Sequence, residues 1–209
     1  LIALTLAPII GGLTIAQALA GYSEPTVWLV MAAFFISRAL LNTGLARRIA
    51  LFFVRLFGKS SVGVAYSLSM ADLVLAGVIP SNAARSGGVI LPIVRSISEL
   101  YGSFPGPTAG RLGTFLMLSV YQTICVTAAM FFTGQASNPL AAKIATDQFG
   151  YPVTWLSWFL AGIVPGMCSL LVLPLVTSRM YPPEIRQTPR AAEFASEELE
   201  KMGKMSGNE

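Results

Sequence analysis

The sequence contains no histidine, and only 11% of its 209 residues are charged. Without an imidazole side chain, acid–base catalysis by histidine and metal binding by histidine are both excluded. Two cysteines, Cys125 and Cys168, lie in separate apolar segments, where a cysteine is by default a small hydrophobic residue. Their spacing supports neither a disulfide nor a metal site. We therefore predict that the chain is not an enzyme.

Apolar residues dominate the composition. They make up 54% of the chain, and the mean hydropathy is +0.67, far from the balance of an average soluble domain. This composition predicts an integral membrane protein, with the lipid bilayer as its partner. The net charge of +4 does not indicate a nucleic-acid partner, because the basic residues form no continuous stripe with interleaved aromatic residues.

The first sixty residues contain three apolar segments. Residues 1–20 have no initial methionine and no basic flank, so they do not indicate a signal peptide, and the chain is expected to begin within a longer protein. Residues 26–43 are long enough for a spanning helix, with Trp28 as an interfacial anchor. Residues 45–60 intersperse basic and apolar residues, which favours an amphipathic helix in the membrane interface. A solvated, charged helix end is the alternative.

The basic residues are placed so that alternate loops can lie on one side of a membrane. Putting the 45–60 helix, the loop with Arg111 and the polar segment 181–209 on the inside satisfies the positive-inside rule. This placement leaves Glu24, Lys143 and Asp147 in the outer connections. The chain between the 45–60 helix and the loop with Arg111 must then leave from and return to the same side of the membrane. This predicts a re-entrant hairpin over residues 62–100. Its tip, residues 80–85, opens with a proline that prevents a continuous hydrogen-bonded helix. A proline-kinked helix capped by Ser and Asn is the alternative.

The predicted hairpin tip carries polar groups at membrane depth. The two arms are predicted over residues 62–79 and 86–100, with Ser81 and Asn82 between them. Irregular backbone at this depth is tolerated only where it is buried in protein or lines a water-filled cavity, so the tip is expected to face a site. A helix N-terminus beside free carbonyl groups, with a hydroxyl and an amide added, can hold an anion and a cation side by side.

A second interruption, TGQASNP, divides the predicted broken helix 112–148 into a spanning part over 112–132 and a shorter part over 138–148. Two discontinuous helices in one membrane domain indicate the site of a secondary transporter. A channel filter is the alternative, although two unlike breaks fit a carrier better. A further spanning helix is predicted over 153–177, followed by a partly helical cytoplasmic linker over 181–209.

Two ionisable residues of the hairpin need a partner or a role. Asp72 is costly in a bilayer unless it is paired, so it is either a proton or cation site or the partner of Arg85 or Arg95. Arg85 directly follows the tip, where it either attracts an anionic substrate or donates to backbone carbonyls of the tip. The sequence leaves both alternatives open.

The hairpin and its flanks carry a family resemblance. PSNAARSGGVILPIVRSIS, with FFISRALLNTGLARRIALFFVRLFGKS before it and YPPEIRQTP after it, resembles the divalent anion/sodium symporter family. The most similar branch contains plastid oxoglutarate/malate translocators and bacterial citrate or tartrate/succinate antiporters. The resemblance implies an all-α protein of the bacterial inner membrane, a homodimer in which two inverted repeats each supply a hairpin and a broken helix. It also implies an elevator-like shift of a transport domain, here residues 61–180, against a scaffold, here residues 1–60.

The same resemblance assigns site residues. Ser81 and Asn82 match the first two positions of the family's hairpin tip, which bind sodium and a substrate carboxylate. Gly134 would lend a backbone carbonyl to the same sodium site, and Asn138, in the pattern that follows it, would bind substrate. Ala83 stands where the family usually has threonine, so only its backbone N–H can contact a carboxylate.

A second departure from the family pattern concerns the coupling ion. Gly77, one turn before Ser81, has no side chain to give to a cation. Together with Ala83 it weakens the case for a sodium site, and proton coupling or plain exchange stays open.

The function implied is secondary active transport of small di- or tricarboxylates, by sodium symport or by anion exchange. One hairpin and one broken helix occur within 209 residues, so we expect the N-terminal half of such a transporter, with the second repeat missing. These residues alone are then expected neither to transport nor to bind substrate tightly. Two alternatives are a carrier of an inorganic anion such as sulfate, and a non-transporting membrane subunit that needs a partner chain.

Overall fold

The computed structural model describes residues 2–205, and every regular element in that range is helical. Extended backbone pairs at one isolated bridge within these residues, between Ser60 and Gln187. The α-helices are α1 (Ile2–Gly11), α2 (Ile15–Leu19), α3 (Pro25–Thr43), α4 (Leu45–Phe57), α5 (Ser61–Ala76), α6 (Asn82–Arg85), α7 (Leu91–Leu100), α8 (Gly113–Met130), α9 (Ser137–Phe149), α10 (Trp155–Met180) and α11 (Pro189–Lys201). The predicted all-α fold is confirmed.

Three helices of the described chain, α3, α8 and α10, are long and apolar enough to cross a membrane. α3 begins with Pro25, whose missing N–H would have no partner in a first helical turn anyway. It ends at Gly44, whose φ of +81° is readily adopted mainly by glycine, and α4 follows immediately. The helices predicted over 26–43 and 153–177 are present, whereas α8 ends at Met130, two residues earlier than predicted.

The hydrophobic core lies where α4 packs against α5 and α11, and α5 against α8. α4 buries Ala46, Ala50 and Val54 at helical spacing and exposes Phe52 and Leu56. The predicted amphipathic helix is therefore present. Part of its apolar surface covers the protein's own core, and the remainder faces outward.

The hairpin segment has a shorter tip than the sequence predicts. Its first arm, α5, ends at Ala76, and its second arm begins at Asn82 instead of residue 86. The reason is the Ser81 side chain, whose oxygen accepts a hydrogen bond from the Ala84 backbone N–H at 3.2 Å. A serine that caps in this way satisfies one of the unpaired N–H groups of the first helical turn, so the helix can start four residues earlier.

The second arm contains a π-helical turn over Ser86–Ile90. The Leu91 N–H donates to the Ser86 carbonyl, five residues earlier instead of four. Pro92 has no N–H to donate to the carbonyl of Gly88, so one regular helical hydrogen bond is missing where this turn joins α7. Such π-turns within α-helices are frequent at functional sites, and this one directly follows the tip.

Both ends of the 61–102 segment lie against the same short stretch of chain after α10. The Ser61 N–H donates to the Arg186 carbonyl at 3.0 Å. At the other end, the Arg111 guanidinium donates to the Gly102 carbonyl at 3.2 Å, and the Arg111 carbonyl accepts from the Ile185 N–H at 3.0 Å. The segment therefore returns to the end of the molecule where it began.

The charged residues predicted for the outer connections also meet in the structure. The Lys143 ammonium lies 2.9 Å from the Asp147 carboxylate and 3.6 Å from that of Glu24. Glu24 precedes α3, at the end of that helix remote from α4. The loops thus group as the charge pattern predicts, while their orientation in a membrane stays a prediction.

The polar segment after α10 is docked on the core. The Thr188 side chain donates to the Gly58 carbonyl at 2.9 Å, and α11 buries Ala191 and Ala195 completely. The predicted linker is therefore partly helical, as expected, but its helix packs against α4 and α7. The residues of that linker beyond 205 lie outside the described range.

α8 and α10 pack through a methionine set over two glycines. Met130 lies at the end of α8, and a Cβ on Gly166 of α10 would come within 2.4 Å of its sulfur atom. A Cβ on Gly162 would lie 2.9 Å from the Met130 carbonyl oxygen. Glycines four residues apart share one helix face and allow close helix approach in membranes. This contact holds the end of α8, where the chain breaks, against α10.

Candidate functional site

The hairpin tip meets the break between α8 and α9, residues 131–136. The Thr133 hydroxyl donates to the Gly77 carbonyl at 3.0 Å. The Asn82 side-chain amide donates to the Gln135 side-chain oxygen at 3.2 Å. Two interruptions that lie about fifty residues apart in the chain therefore form one polar region, at the level where α5 and α8 both stop.

Gly134 lies at the closest approach within the break. A Cβ at this position would be 2.6 Å from the Ala128 carbonyl oxygen and 3.0 Å from that of Thr127. Only glycine fits here without a backbone shift. The Gly134 carbonyl in turn accepts a hydrogen bond from Arg85 Nη1 at 2.7 Å.

Arg85 and Asp72 form an ion pair at the centre of this region. Their side chains are 0% and 1% exposed, and Arg85 Nε lies 3.0 Å from Asp72 Oδ1. The second carboxylate oxygen accepts from the Thr127 hydroxyl. Arg85 Nη1 donates to the carbonyls of Ile79 and Gly134, each at 2.7 Å. One guanidinium thus joins α5, the tip and the break after α8.

This pairing decides between the alternatives that the sequence leaves open. Asp72 is the partner of Arg85, whereas Arg95 pairs with the exposed Glu99 at 2.7 Å. Arg85 Nη1 has the second of the two predicted roles, because it donates to backbone carbonyls, while contact of Arg85 with an anionic substrate stays a prediction. A buried charge is strongly destabilising once its partner is removed, so each member of the pair requires the other.

The tip itself presents donors and one acceptor. Ser81 uses a lone pair to accept from the Ala84 N–H, which leaves its hydroxyl hydrogen able to donate. Ala83 is exposed. Asn82 Oδ1 and Arg85 Nη2 are buried and have no hydrogen-bond partner among the described residues. Within the described residues, the tip thus holds an unsatisfied acceptor and an unsatisfied donor one helical turn apart.

Asn138 is bound to the protein on all sides. It is 4% exposed, and its amide nitrogen donates to the Ala128 carbonyl at 2.7 Å and to the Phe131 carbonyl at 2.9 Å. Its side-chain oxygen accepts from Gln135 at 3.0 Å. Asn138 therefore closes the end of α8, and the contact with substrate that the resemblance assigns to it stays a prediction.

Gln135 is a residue of this region to which the family pattern assigns no role. It is half-buried and stands between Asn82 and Asn138, with a hydrogen bond to each. The signal for it in the sequence is its place in TGQASNP, a long polar side chain at membrane depth. The sequence alone does not say which groups that side chain contacts.

The predicted sodium ligands are Ser81, Asn82 and Gly134, and their assignment stays a prediction. A cation on the Gly134 carbonyl oxygen would stand roughly 4 Å from the Arg85 guanidinium. Two isolated positive charges at that separation repel each other by about 4 kcal/mol at an effective dielectric constant of about 20, and the pairing of Arg85 with Asp72 reduces that repulsion. The Gly134 carbonyl already accepts from Arg85, and its role as a sodium ligand stays a prediction.

A cavity of about 600 Å³ lies elsewhere, between α7, the loop after it and the beginning of α8. Its lining is mainly apolar and includes Phe104, Met117 and Leu118. The 18 residues of α8 span about 27 Å, so this cavity is remote from the break at the other end of that helix. It adds no group to the polar region at the tip.

Comparison of the sequence with known proteins identifies a family and several similar proteins. The family described as the sodium:sulfate symporter transmembrane region matches residues 1–209. The Bacillus subtilis protein named "Putative malate transporter YflS" is 48% identical over 208 residues, which cover 99% of this chain and 44% of that protein. "Dicarboxylate transporter 1, chloroplastic" of Arabidopsis thaliana is 44% identical over 198 residues, covering 94% and 36%. The "Citrate/succinate antiporter" of Escherichia coli is 37% identical over 192 residues, covering 91% and 39%.

The chain thus spans less than half the length of these relatives. The family match confirms the resemblance found in the hairpin sequence and the multi-pass membrane location. It also agrees with the prediction that the chain is not an enzyme, because the family is one of transporters. The bacterial relatives, one of them named as an inner membrane protein, support the bacterial inner membrane. By a match over its whole given length, the chain belongs to the sodium:sulfate symporter family, the divalent anion/sodium symporters.

Proposed function

We propose that the full-length gene product carries small di- or tricarboxylates across the membrane by an exchange that needs no sodium. Carboxylate transport is supported by relatives whose printed names refer to malate, dicarboxylates, citrate and succinate. The observation that supports exchange without sodium is the hydrogen bond from the buried Arg85 guanidinium to the Gly134 carbonyl. A fixed positive group stands where a coupling cation would need an oxygen ligand.

The guanidinium performs the structural task that a bound cation would otherwise perform. It draws the carbonyls of Ile79 and Gly134 to one point, which ties the hairpin tip to the break after α8. Because the group is covalently attached, this link is present in both the loaded and the empty carrier. With no cation bound in transit, a cation gradient cannot drive uptake, so the driving force comes from a second carboxylate on the other side.

The anion is held by hydrogen-bond donors in this proposal. Asp72 neutralises the charge of Arg85, so the pair is not a strong anion trap. The donors that remain are the Ser81 hydroxyl, the Ala83 backbone N–H and Arg85 Nη2. Two neutral donors and one from a charge-balanced ion pair give modest affinity, which lets a carrier release its substrate on either side.

Homodimer formation and an elevator-like shift belong to the same proposal. The packing favours one change in the predicted boundary at residue 60. α4 shares the hydrophobic core with α5 and α8, so it would move with the transport domain. The division then falls at Gly44, where the backbone turns between α3 and α4.

The test is uptake into proteoliposomes that contain the full-length gene product. Labelled malate is added outside, with malate, succinate, citrate, oxoglutarate or sulfate inside, and with or without sodium. We expect uptake that requires an internal di- or tricarboxylate and is unchanged when potassium replaces sodium. Sodium-dependent uptake into empty vesicles would refute the exchange, and exchange for sulfate alone would refute the carboxylate substrate.

Two matched variants connect the result to the site. Arg85→Lys keeps the charge but cannot reach Asp72, Ile79 and Gly134 together, so exchange should fall at least about tenfold. Arg95→Lys changes the exposed pair with Glu99 and should leave exchange within about twofold of wild type.

A further inference from the structure

Three side-chain amides form a chain that links the broken helix to the hairpin tip. Asn138 accepts from Gln135 Nε2 at 3.0 Å, and Gln135 Oε1 accepts from Asn82 Nδ2 at 3.2 Å. The bond between Gln135 and Asn82 joins two side chains across the break and the tip, whereas Thr133 and Arg85 cross it to backbone carbonyls. Gln135 stands in the middle, so it transmits the position of one end to the other.

The orientation of every amide in this chain follows from its anchored end. The nitrogen of Asn138 faces the carbonyls of Ala128 and Phe131, and a carbonyl can only accept. The oxygen of Asn138 must therefore face Gln135, which presents its nitrogen in return and turns its own oxygen toward Asn82. Asn82 donates to that oxygen from its amide nitrogen. The backbone carbonyls at Asn138 thus fix which atom of each amide donates and which accepts, as far as Asn82.

The consequence appears at Asn82. Because its nitrogen is turned to Gln135, its oxygen is the group left without a partner, buried at the tip. One turn further, Arg85 Nη2 is a buried donor without a partner among the described residues. A ligand that satisfies both atoms must donate to the first and accept from the second. A carboxylate bearing a hydroxyl on the neighbouring carbon does both, since its O–H donates and its carboxylate accepts.

We propose that Gln135 is a specificity-determining residue that orients Asn82 to favour 2-hydroxy di- and tricarboxylates over the same acids without the hydroxyl. This inference rests on the proposed carboxylate transport. Gln135 acts through Asn82, so it is a positioning residue. Without it, the Asn82 amide is free to turn its nitrogen to the ligand, and the advantage of a hydroxyl is lost.

The test uses two pairs of acids that differ by one hydroxyl: malate against succinate, and citrate against tricarballylate. Each acid competes with labelled substrate during exchange by the full-length gene product, and the ratio of inhibition constants is measured. We expect each hydroxy acid to bind about 3- to 10-fold more tightly, the range of one net hydrogen bond. Gln135→Met, which fills similar volume without hydrogen bonds, should bring both ratios to within about twofold of one.

Gln122→Met is the matched control, because Gln122 bonds with Thr177 and not with the tip. It should keep the wild-type ratios. Equal inhibition by both members of each pair in wild type, or unchanged ratios in Gln135→Met, would overturn the proposal. If Gln135→Met does not fold, Gln135→Asn serves instead, since its shorter side chain cannot reach both partners.

A binding readout separates this inference from the proposed function. The four acids are also compared by the thermal stabilisation that they confer on the purified wild-type protein. Preferential stabilisation by the hydroxy acids without any exchange would refute the transport proposal and leave the role of Gln135 standing. Exchange without preference would refute the role of Gln135 and leave transport standing.

Discussion

The Asp72–Arg85 pair permits the sharpest test of the structure. Asp72→Asn preserves the shape of the side chain but removes the negative charge, which leaves the guanidinium buried with 0% exposure and no counter-charge. Removing one member of a buried ion pair destabilises a protein by about 3–5 kcal/mol. The shift is about 2–4 °C per kcal/mol for 150–250 residues and falls with chain length, so the apparent Tm of the longer full-length gene product should fall by several degrees.

The double variant Asp72→Leu/Arg85→Met removes both charges. Apolar side chains of similar volume often restore the stability that is lost when a single member of a buried pair is changed. We expect the double variant to lie within about 1–2 kcal/mol of wild type, far above Asp72→Asn. It should nevertheless lose exchange, because nothing then holds the carbonyls of Ile79 and Gly134 together.

The assay is thermal unfolding of the purified full-length gene product in detergent, read as the monodisperse fraction after heating. Glu99→Gln is the control, because it breaks the exposed Arg95–Glu99 pair and should change stability by less than about 0.5 kcal/mol. A loss in Asp72→Asn no larger than the loss in Glu99→Gln would refute the buried pair.

Three further predictions follow from individual contacts. Gly134→Ala places a Cβ 2.6 Å from the Ala128 carbonyl oxygen, so it should lower the apparent Tm and abolish exchange, whereas Gly87→Ala, with nothing within 4 Å, should do neither. Gly166→Leu should separate α8 from α10, because even a Cβ at this position would lie 2.3 Å from the Met130 side chain. The measurement is the cross-linking rate of a cysteine pair placed across the two helices, and an unchanged rate in Gly166→Leu would contradict the prediction. The Lys201 side chain donates to Glu198 and holds the pKa of that carboxyl below its usual value. Its contribution to stability is therefore complete above the ordinary pKa of glutamate and is lost as the pH falls through the lower folded value. Hydrogen exchange in α11, corrected for intrinsic rates, should rise between about pH 5 and about pH 3 in wild type and not in Glu198→Gln.

Much of the fold could be predicted from local features of the chain. Apolar length indicates α3, α8 and α10, and the proline and the cluster of small polar residues indicate the two breaks. The sequence predicts the second arm from residue 86, four residues after its start at Asn82, because the sequence does not reveal that Ser81 caps the helix. Nor does the sequence predict the docking of α11, since a polar composition does not show that Ala191 and Ala195 share one buried face.

Some residues of the site could also be predicted from the sequence, and others could not. Ser81, Asn82 and Gly134 were assigned from the resemblance, and the structure brings them into one region through Gln135 and Arg85. The role of Gln135 could not be predicted, because its two partners belong to different helices. Asn138 illustrates the converse: its residue type suggests a ligand contact, but two backbone carbonyls already take its donors.

Composition, segment length and the position of proline suffice to predict a helical membrane protein with two polar breaks, because each of them acts locally along the chain. Which polar groups become partners depends on the packing of the helices. Arg85 meets Asp72 from 13 residues away and Gly134 from 49 residues away, and neither separation corresponds to a helical repeat. Such contacts depend on how distant helices pack, and it is this packing that places a guanidinium, and not an open carbonyl, at the centre of the site.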